Sequence, residues 1–204
     1  MSLYVVTGTD TGVGKTFVSV RLIEGLRARG VEAIGLKPVE TGWDAERSDA
    51  GLLARASGRE VVETIWGHFA LPAAPSIAAR AEGREIEVAE MLAWVRGWAG
   101  DLTLVEGAGG WLVPFNDEAL FRDVVAELKP DGVLLVAGGQ LGTINHTLLS
   151  AESIRATCRL AAVVVSRPEP LSLAEIRARV CEPVFTTEDL APLVEMFHVE
   201  HQGR

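Results

Sequence analysis

The feature that most constrains this chain is a glycine-rich stretch between an apolar segment and a helical pattern. It follows the apolar run Leu3-Tyr4-Val5-Val6 and reads Gly8-Thr9-Asp10-Thr11-Gly12-Val13-Gly14-Lys15-Thr16. In such a strand, turn and helix, backbone N–H groups of the turn and of the helix N-terminus point toward a bound phosphate. A lysine at this place neutralises β- and γ-phosphate oxygens, and the following hydroxyl coordinates Mg²⁺. The pattern predicts a site for a nucleoside triphosphate.

The spacing of this stretch differs from the common phosphate-loop pattern by one residue. Five residues, rather than four, separate Gly8 from the Gly14-Lys15 pair, and Thr9 occupies the usual glycine position. A dinucleotide fingerprint does not fit, because Gly14 is followed by Lys-Thr-Phe and the third glycine is missing. We therefore expect a triphosphate rather than NAD. The alternative is a tight glycine turn that binds no ligand.

Length and charge limit the other classes of function. The chain has 204 residues, enough for one well-cored domain and marginal for two, so we expect a single domain over residues 1–204. A net charge of −9 argues against a nucleic-acid or anionic-membrane partner. No apolar run reaches the ~18 residues that span a bilayer, and no leader precedes the first strand. We expect a cytoplasmic protein with no membrane contact.

Short aliphatic runs alternate with longer stretches of helical period, which is typical of a parallel sheet covered by helices. We predict strands at Leu3–Thr7, Glu32–Leu36, Leu102–Glu106, Gly132–Ala137 and Ala161–Ser166. We predict helices at Lys15–Arg29, Ile86–Trp98, Thr143–Thr157, Ser172–Arg179 and Asp189–His198, and a loop at Gly67–Pro75. The expected fold class is α/β: a single-domain P-loop NTPase fold with a mostly parallel central sheet and helices on both faces.

Ligands of such sheets bind beyond the carboxyl ends of the strands, where two charged residues stand out. Lys37 follows the second predicted strand and would place a cation near the γ-phosphate; the alternative is a solvated lysine. Glu106 ends the third predicted strand and precedes Gly107-Ala108-Gly109-Gly110, an arrangement that presents a carboxylate to Mg²⁺. Its alternative is a solvated glutamate beside a plain glycine turn. Asp49, on its own, is an ordinary helix-start aspartate.

Five motifs occur in a fixed order along about four-fifths of the chain. They read Gly-Thr-Asp-Thr-Gly-Val-Gly-Lys-Thr, Lys-Pro-Val-Glu-Thr-Gly, Ser-Asp-Ala, Val-Glu-Gly-Ala-Gly-Gly and Gly-Gln-Leu-Gly-Thr-Ile-Asn-His-Thr-Leu-Leu-Ser. In order and rough spacing they resemble the dethiobiotin synthetase family, from Leu3 to about Ser166. The resemblance implies the conversion of 7,8-diaminononanoate, CO₂ and ATP into dethiobiotin, ADP and phosphate, through a carbamate and a carbamic–phosphoric anhydride.

The resemblance also implies roles for the matching residues. Lys15 and Lys37 would be catalytic, and Mg²⁺ would be bound by Thr16, Asp49 and Glu106. The nucleotide would be bound by Thr11, Gly12, Val13, Gly14, Lys15, Thr16, Glu106, Ser166, Arg167 and Pro168. The diamine would contact Thr41, Pro72 and Gly109, and its carboxylate would contact, across a homodimer interface, Leu141, Gly142, Thr143, Ile144 and Asn145. From the residues alone, Thr143 would simply cap a helix, and Pro72 would lie in an ordinary proline loop.

Two positions depart from the family pattern. Ser166 stands where many members carry an asparagine that contacts the adenine edge, and a serine hydroxyl cannot copy a bidentate amide contact. We therefore expect ATP as the co-substrate, with weak discrimination against other nucleoside triphosphates. Gly12 stands at a position that is often acidic in the family, and no firm consequence follows from it.

Three related classes are disfavoured by particular residues. Partitioning and septum-placement ATPases carry a lysine five positions before the Gly-Lys lysine, and this chain has Asp10 there. An amidotransferase-linked ligase of corrin synthesis needs a glutaminase domain, for which 204 residues leave no room. A GTPase would need an Asn-Lys-x-Asp segment to bind guanine, and the sequence contains none.

Overall fold

A parallel β-sheet runs through the computed structural model, which describes residues 2–98 and 100–203. Within these residues the sheet has seven strands: β1 Ser2–Gly8, β2 Ala33–Thr41, β3 Ile65–Phe69, β4 Leu102–Gly110, β5 Gly132–Ala137, β6 Leu160–Val165 and β7 Val184–Thr186. Their order is β3-β2-β4-β1-β5-β6-β7, and each neighbouring pair is parallel. The predicted α/β class with a parallel central sheet is confirmed.

The helices of the described residues cover both faces of this sheet. They are α1 Lys15–Arg27, α2 Asp49–Ser57, α3 Val61–Thr64, α4 Pro75–Ala81, α5 Val88–Arg96, α6 Phe121–Leu128, α7 Thr143–Arg155, α8 Pro170–Arg179 and α9 Ala191–Gln202. Successive residues of β1 point to opposite faces: Tyr4 and Val6 pack with α1, α2 and α9, whereas Val5 packs with α4 to α8. Burial on both faces explains the continuous aliphatic runs of the strands.

β2 changes its partner in the middle, and this change opens the crevice of the sheet. Its first residues pair with β4 as far as Leu36 and Val105, whereas the residues from Lys37 onward pair with β3. Pro38, which has no N–H to donate, lies at the change of partner. The next residues of the two separating strands are Lys37 and Glu106, so both side chains lie where the strands part.

The structure corrects several predicted boundaries. β2 extends to Thr41, so Lys37 lies within a strand rather than after it, and β4 extends to Gly110, so Glu106 lies inside its strand rather than at its end. The segment predicted as a loop, Gly67–Pro75, begins inside β3. β3 and β7 were not predicted because they are short edge strands without a continuous aliphatic run, and pairing with a neighbouring strand holds them.

Every predicted helix is present, but some helices were not predicted. The five predicted helices correspond to α1, α5, α7, α8 and α9 with ends that shift by a few residues, as is usual for fraying helix termini. α2 begins at Asp49, as expected for a helix-start aspartate, whereas α3, α4 and α6 were not predicted. No helix within residues 2–98 and 100–203 is both long and apolar enough to cross a membrane.

Candidate active site

The glycine-rich stretch forms a tight turn between β1 and α1. Gly12 and Gly14 adopt positive φ angles of 73° and 100°, which L-residues with a side chain rarely adopt. A Cβ on Gly8 would lie 2.8 Å from Val13 Cγ2 and 2.9 Å from the Asp10 carbonyl oxygen, so the chain packs closely there. The backbone N–H of Thr9 donates to the Val136 carbonyl oxygen at 2.9 Å, which holds the start of the loop against β5. The turn therefore leads directly into the N-terminus of α1.

Lys37 is a buried ammonium that contacts three oxygen acceptors. Its Nζ donates to Glu106 Oε1 at 2.8 Å, to Asp49 Oδ2 at 3.1 Å and to the Gly107 carbonyl at 3.1 Å. These contacts match the three hydrogens of an ammonium group. The side chains of Lys37 and Glu106 are only 3% and 1% exposed, whereas that of Asp49 is 41% exposed. Lys37 is thus paired and held, rather than solvated.

Glu106 joins this cluster to the start of α1. Its Oε1 accepts hydrogen bonds from Lys37 Nζ and from Thr16 Oγ1, each at 2.8 Å, and its Oε2 accepts from Ser19 Oγ at 2.8 Å. The alternative of a solvated glutamate is therefore wrong. Ser19 was missed, although it lies three residues after Thr16 and so on the same side of α1. A small polar residue on the buried face of a helix was the available signal.

The charges of the cluster shift three pKa values. Burial alone would lower the pKa of Lys37, but Glu106 and Asp49 outweigh burial and raise it. Burial alone would raise the pKa of Asp49, but Lys37 and the Thr16 hydroxyl lower it. Burial and the repulsion of Lys37 lower the pKa of Lys15 to about 8. Lys15 Nζ meanwhile donates to the Asp10 carbonyl at 3.0 Å, so it lies folded against its own loop.

Two cavities meet at the glycine-rich turn and share Thr11, Gly12 and Gly14. The first measures about 620 Å³ and is lined also by Val13, Phe17, Gly138, Gly139, Gln140, Ser166, Arg167, Thr187 and Glu188. The second measures about 450 Å³ and is lined also by Lys15, Thr16, Lys37, Glu40, Thr41, Asp49, Pro72, Ala73, Ala74, Pro75, Ala108, Gly109 and Val113. Segments distant in sequence therefore converge on one crevice.

Most of the predicted site residues lie at this crevice, and a few do not. Glu106 lies beneath it and reaches it through Thr16 and Lys37. Pro168 is absent from the described linings of both cavities, although Ser166 and Arg167 line the first. The segment Leu141–Asn145 also lies outside both linings; Leu141 is fully exposed, and the buried Thr143 donates its hydroxyl to Gly138. The role of this segment toward a neighbouring subunit stays a prediction.

The oxygen atoms of Thr16, Asp49 and Glu106 fit the preferences of Mg²⁺. A hydroxyl and two carboxylates offer hard oxygen ligands. Mg²⁺ is typically bound by one or two such protein ligands together with phosphate oxygens. The Thr16 and Glu106 oxygens lie 2.8 Å apart, and the Lys37 ammonium contacts both carboxylates. A positive charge is therefore already favoured between them. Within residues 2–98 and 100–203 no cluster of three His, Cys, Asp or Glu side chains offers another metal site.

Comparison with known proteins indicates the class of protein to which this chain belongs. The chain matches the family model described as an AAA domain over residues 3–203. The signal recognition particle receptor FtsY of Elizabethkingia anophelis superposes with a TM-score of 0.54 and 18% identity, covering 90% of this chain and 57% of that one, just over half of its length. FtsY of Thermotoga maritima gives a TM-score of 0.50 and 18% identity over 97% of this chain and 68% of that one. The parallel sheet and glycine-rich turn define a P-loop NTPase.

Sequence relatives identify the family within this class. ATP-dependent dethiobiotin synthetase BioD of Anaeromyxobacter dehalogenans strain 2CP-C is 46% identical over 184 residues, which cover 84% of this chain and 82% of the relative. The BioD of Acidiphilium cryptum strain JF-5 is 41% identical over 194 residues, which cover 88% and 86%. The chain belongs to the dethiobiotin synthetase family and is an enzyme of that kind.

Proposed function

We propose that this enzyme carboxylates 7,8-diaminononanoate with CO₂ and closes the product to the cyclic urea dethiobiotin, at the expense of ATP hydrolysis to ADP and phosphate. The observation that carries this proposal is the cluster of Lys37, Glu106, Asp49 and Thr16 beside the Lys15 turn. A carbamate and a triphosphate are both anions, so a site that joins them needs fixed positive charge. The names of the relatives support the substrates.

The first step needs an uncharged amine and CO₂. The nitrogen lone pair of one amine attacks the carbon of CO₂, and loss of one proton from that nitrogen leaves a carbamate. Thr41 and Gly109 line the second cavity beside Lys37 and are the proposed contacts of the diamine end. Pro72 lines the same cavity from the segment between β3 and α4 and offers an apolar surface to the aliphatic chain. Positioning of the two reactants supplies most of the catalysis here.

The second step transfers the γ-phosphoryl group. A carbamate oxygen attacks the γ-phosphorus, the bond to the bridging oxygen of ATP breaks, and ADP leaves with that electron pair. Lys15 and Lys37 place two positive charges where negative charge develops on the transferred group. Thr16, Asp49 and Glu106 would hold Mg²⁺, which would supply a Lewis acid for the phosphate oxygens. The product is a carbamic–phosphoric anhydride.

The third step closes the ring. The second amine attacks the carbonyl carbon of the anhydride, the carbon–oxygen bond to phosphate breaks, and the nitrogen loses a proton. The substrate carboxylate, at the far end of the chain, is the proposed ligand of Leu141–Asn145 in a second copy of the protein. No side chain caps the N-terminus of α7, and the start of a helix suits a carboxylate, so in this proposal the working enzyme is a homodimer.

Affinity for the nucleotide should depend on pH through Lys15. Its pKa of about 8 in the free protein rises when a triphosphate binds, so binding takes up a proton above pH 8. Affinity should be flat below that value and fall up to about tenfold per pH unit above it, as measured by calorimetric titration with a non-hydrolysable ATP analogue. Lys15→Arg, which stays protonated, should bind more weakly than the wild type below pH 8 and show a flat profile above it. Constant wild-type affinity to pH 9.5 would contradict this role.

Base selectivity should be low. Ser166 lines the first cavity, and a Cβ added at Gly14 would lie 3.1 Å from its Oγ, so this short side chain lies close to the turn. We expect kcat/KM values for ATP, CTP and GTP within about tenfold of one another, since one hydroxyl leaves little to discriminate bases. Ser166→Asn should raise the preference for ATP. Strong ATP selectivity of the wild type would count against this interpretation.

The experiment that tests the function is phosphate release with Mg²⁺, bicarbonate and ATP, with and without 7,8-diaminononanoate. Release that depends on the diamine and is matched by dethiobiotin, detected by mass spectrometry, is the expected result. Hydrolysis without the diamine, stimulated instead by a protein or DNA partner, would point to a nucleotide-driven switch and overturn the proposal.

A further inference from the structure

Glu40 is a buried carboxylate in the second cavity that the sequence did not single out. It lies on β2 three residues after Lys37 and is 6% exposed. Its Oε1 accepts the backbone N–H of Asp49 at 2.8 Å, and its Oε2 accepts that of Ala50 at 2.9 Å. The two oxygens of one side chain therefore hold the first two residues of α2. The side chain crosses from the strand of Lys37 to the helix of Asp49.

The N-terminus of α2 is thereby fixed from two sides. The first N–H groups of a helix have no partner within the helix, so side chains or water must supply one. Ser48 Oγ accepts the N–H of Gly51 at 2.9 Å, and Glu40 accepts the two preceding groups. The backbone of Asp49 is held in this way, although its side chain is 41% exposed. Its Oδ2 then lies 3.1 Å from Lys37 Nζ.

Helix stability alone does not account for a carboxylate at this place. Asp49 and Glu106 already bring two negative charges to the same cluster, and a third nearby repels them. An uncharged side chain would cap the helix without that repulsion, as the Ser48 hydroxyl already does. What a carboxylate adds is a two-point attachment, because one planar group binds two consecutive N–H groups. This two-point attachment fixes the direction in which the Asp49 side chain projects from α2.

We infer that Glu40 is a positioning residue that orients Asp49 toward the predicted cation site and so sets the affinity of the site for a divalent cation. This inference rests on the proposed function, in which Asp49 is a cation ligand. Glu40 acts through Asp49, since each of its oxygens accepts a backbone N–H group at the start of α2. Partners that orient the ligands of a metal commonly change affinity by about 10- to 100-fold when removed.

The test measures Mn²⁺ affinity directly, by the electron paramagnetic resonance signal of free Mn²⁺ in the presence of a non-hydrolysable ATP analogue. Glu40→Ala should weaken Mn²⁺ binding about tenfold. Glu40→Gln keeps the shape but turns an NH₂ group toward a backbone N–H, so it should weaken binding less; it also gives the answer if the alanine variant does not fold. In an Asp49→Ala background, Glu40→Ala should change the affinity less than about twofold, because the residue through which it acts is gone.

A matched control is Asp123→Asn. Asp123 Oδ2 accepts the N–H of Leu120 at 3.0 Å at the start of α6, outside both cavities, and its loss should leave Mn²⁺ affinity unchanged. Unchanged Mn²⁺ affinity in both Glu40 variants would overturn the inference, as would an equal effect with and without Asp49. Mn²⁺ binding needs no diamine, so this result is independent of whether dethiobiotin forms.

Discussion

Lys37→Gln should lower kcat by about 10²- to 10³-fold while the affinity for nucleotide changes only a few-fold, because the variant removes a charge that acts on the transferred group. Lys37 is the cation that contacts Glu106, Asp49 and Gly107 at the crevice between β2 and β4. Glutamine keeps a hydrogen-bond donor, one atom nearer the backbone, but carries no charge. Steady-state kinetics with saturating substrates gives kcat, and calorimetric titration with a non-hydrolysable analogue gives the affinity.

Two further measurements make this result specific. Lys37→Arg keeps the charge but presents it as a planar fork, which does not match three acceptors arranged around one ammonium nitrogen, so it should also be impaired. Asp117→Asn, which breaks an exposed pair with Arg80 outside the linings of both cavities, should leave kcat unchanged. Near-normal turnover of Lys37→Gln would remove Lys37 from the mechanism.

Glu106→Gln should be the most destabilising single change in the site. Glu106 is 1% exposed and accepts hydrogen bonds from Thr16, Ser19 and Lys37. An amide offers one accepting oxygen and loses the charge that balances the buried Lys37. Removing one partner of a buried ion pair costs about 3–5 kcal/mol in the free energy of unfolding. Urea denaturation without added cation measures that loss, and Mn²⁺ binding should also be strongly weakened.

The double variant Lys37→Gln/Glu106→Gln separates the ion pair from other effects. If Glu106→Gln loses stability because the buried Lys37 charge no longer has its counter-charge, the double variant should be more stable than Glu106→Gln alone. Additive losses of the two single variants would mean that the pair contributes no coupling. A loss below about 1 kcal/mol for Glu106→Gln would contradict the account of a buried pair.

The sequence predicted which segments meet at the crevice where the signal is local. Short-range patterns mark the Gly8–Thr16 turn, the aliphatic strands and the residues at the carboxyl ends of the strands. From these patterns we predicted that Lys15, Lys37 and Glu106 lie close together. The end of the second strand was placed too early, at Leu36. Pro38 cannot donate a ladder hydrogen bond, but in β2 it lies where the strand changes partner and no such bond is needed.

Other parts depend on contacts between distant segments, which no local pattern contains. β3 is a strand because β2 offers it a free edge, although Ile65–Phe69 includes glycine and histidine. Glu40 gains its partners only when β2 lies beside the start of α2. Ser19 could have been predicted from the sequence, because helical periodicity places it beside Thr16. Glu40 and Ser19 hold the functional side chains in place. Sequence motifs reveal the side chains that contact ligands more readily than the side chains that support them.

The most direct test of the central claim follows an oxygen atom from CO₂. If a carbamate oxygen attacks the γ-phosphorus, a reaction run briefly with ¹⁸O-labelled CO₂ and 7,8-diaminononanoate should give phosphate that carries one ¹⁸O atom, because the later carbon–oxygen cleavage leaves that atom on phosphorus. Phosphate free of the label, formed together with dethiobiotin, would contradict the transfer of the phosphoryl group to a CO₂-derived anion at Lys37 and Glu106.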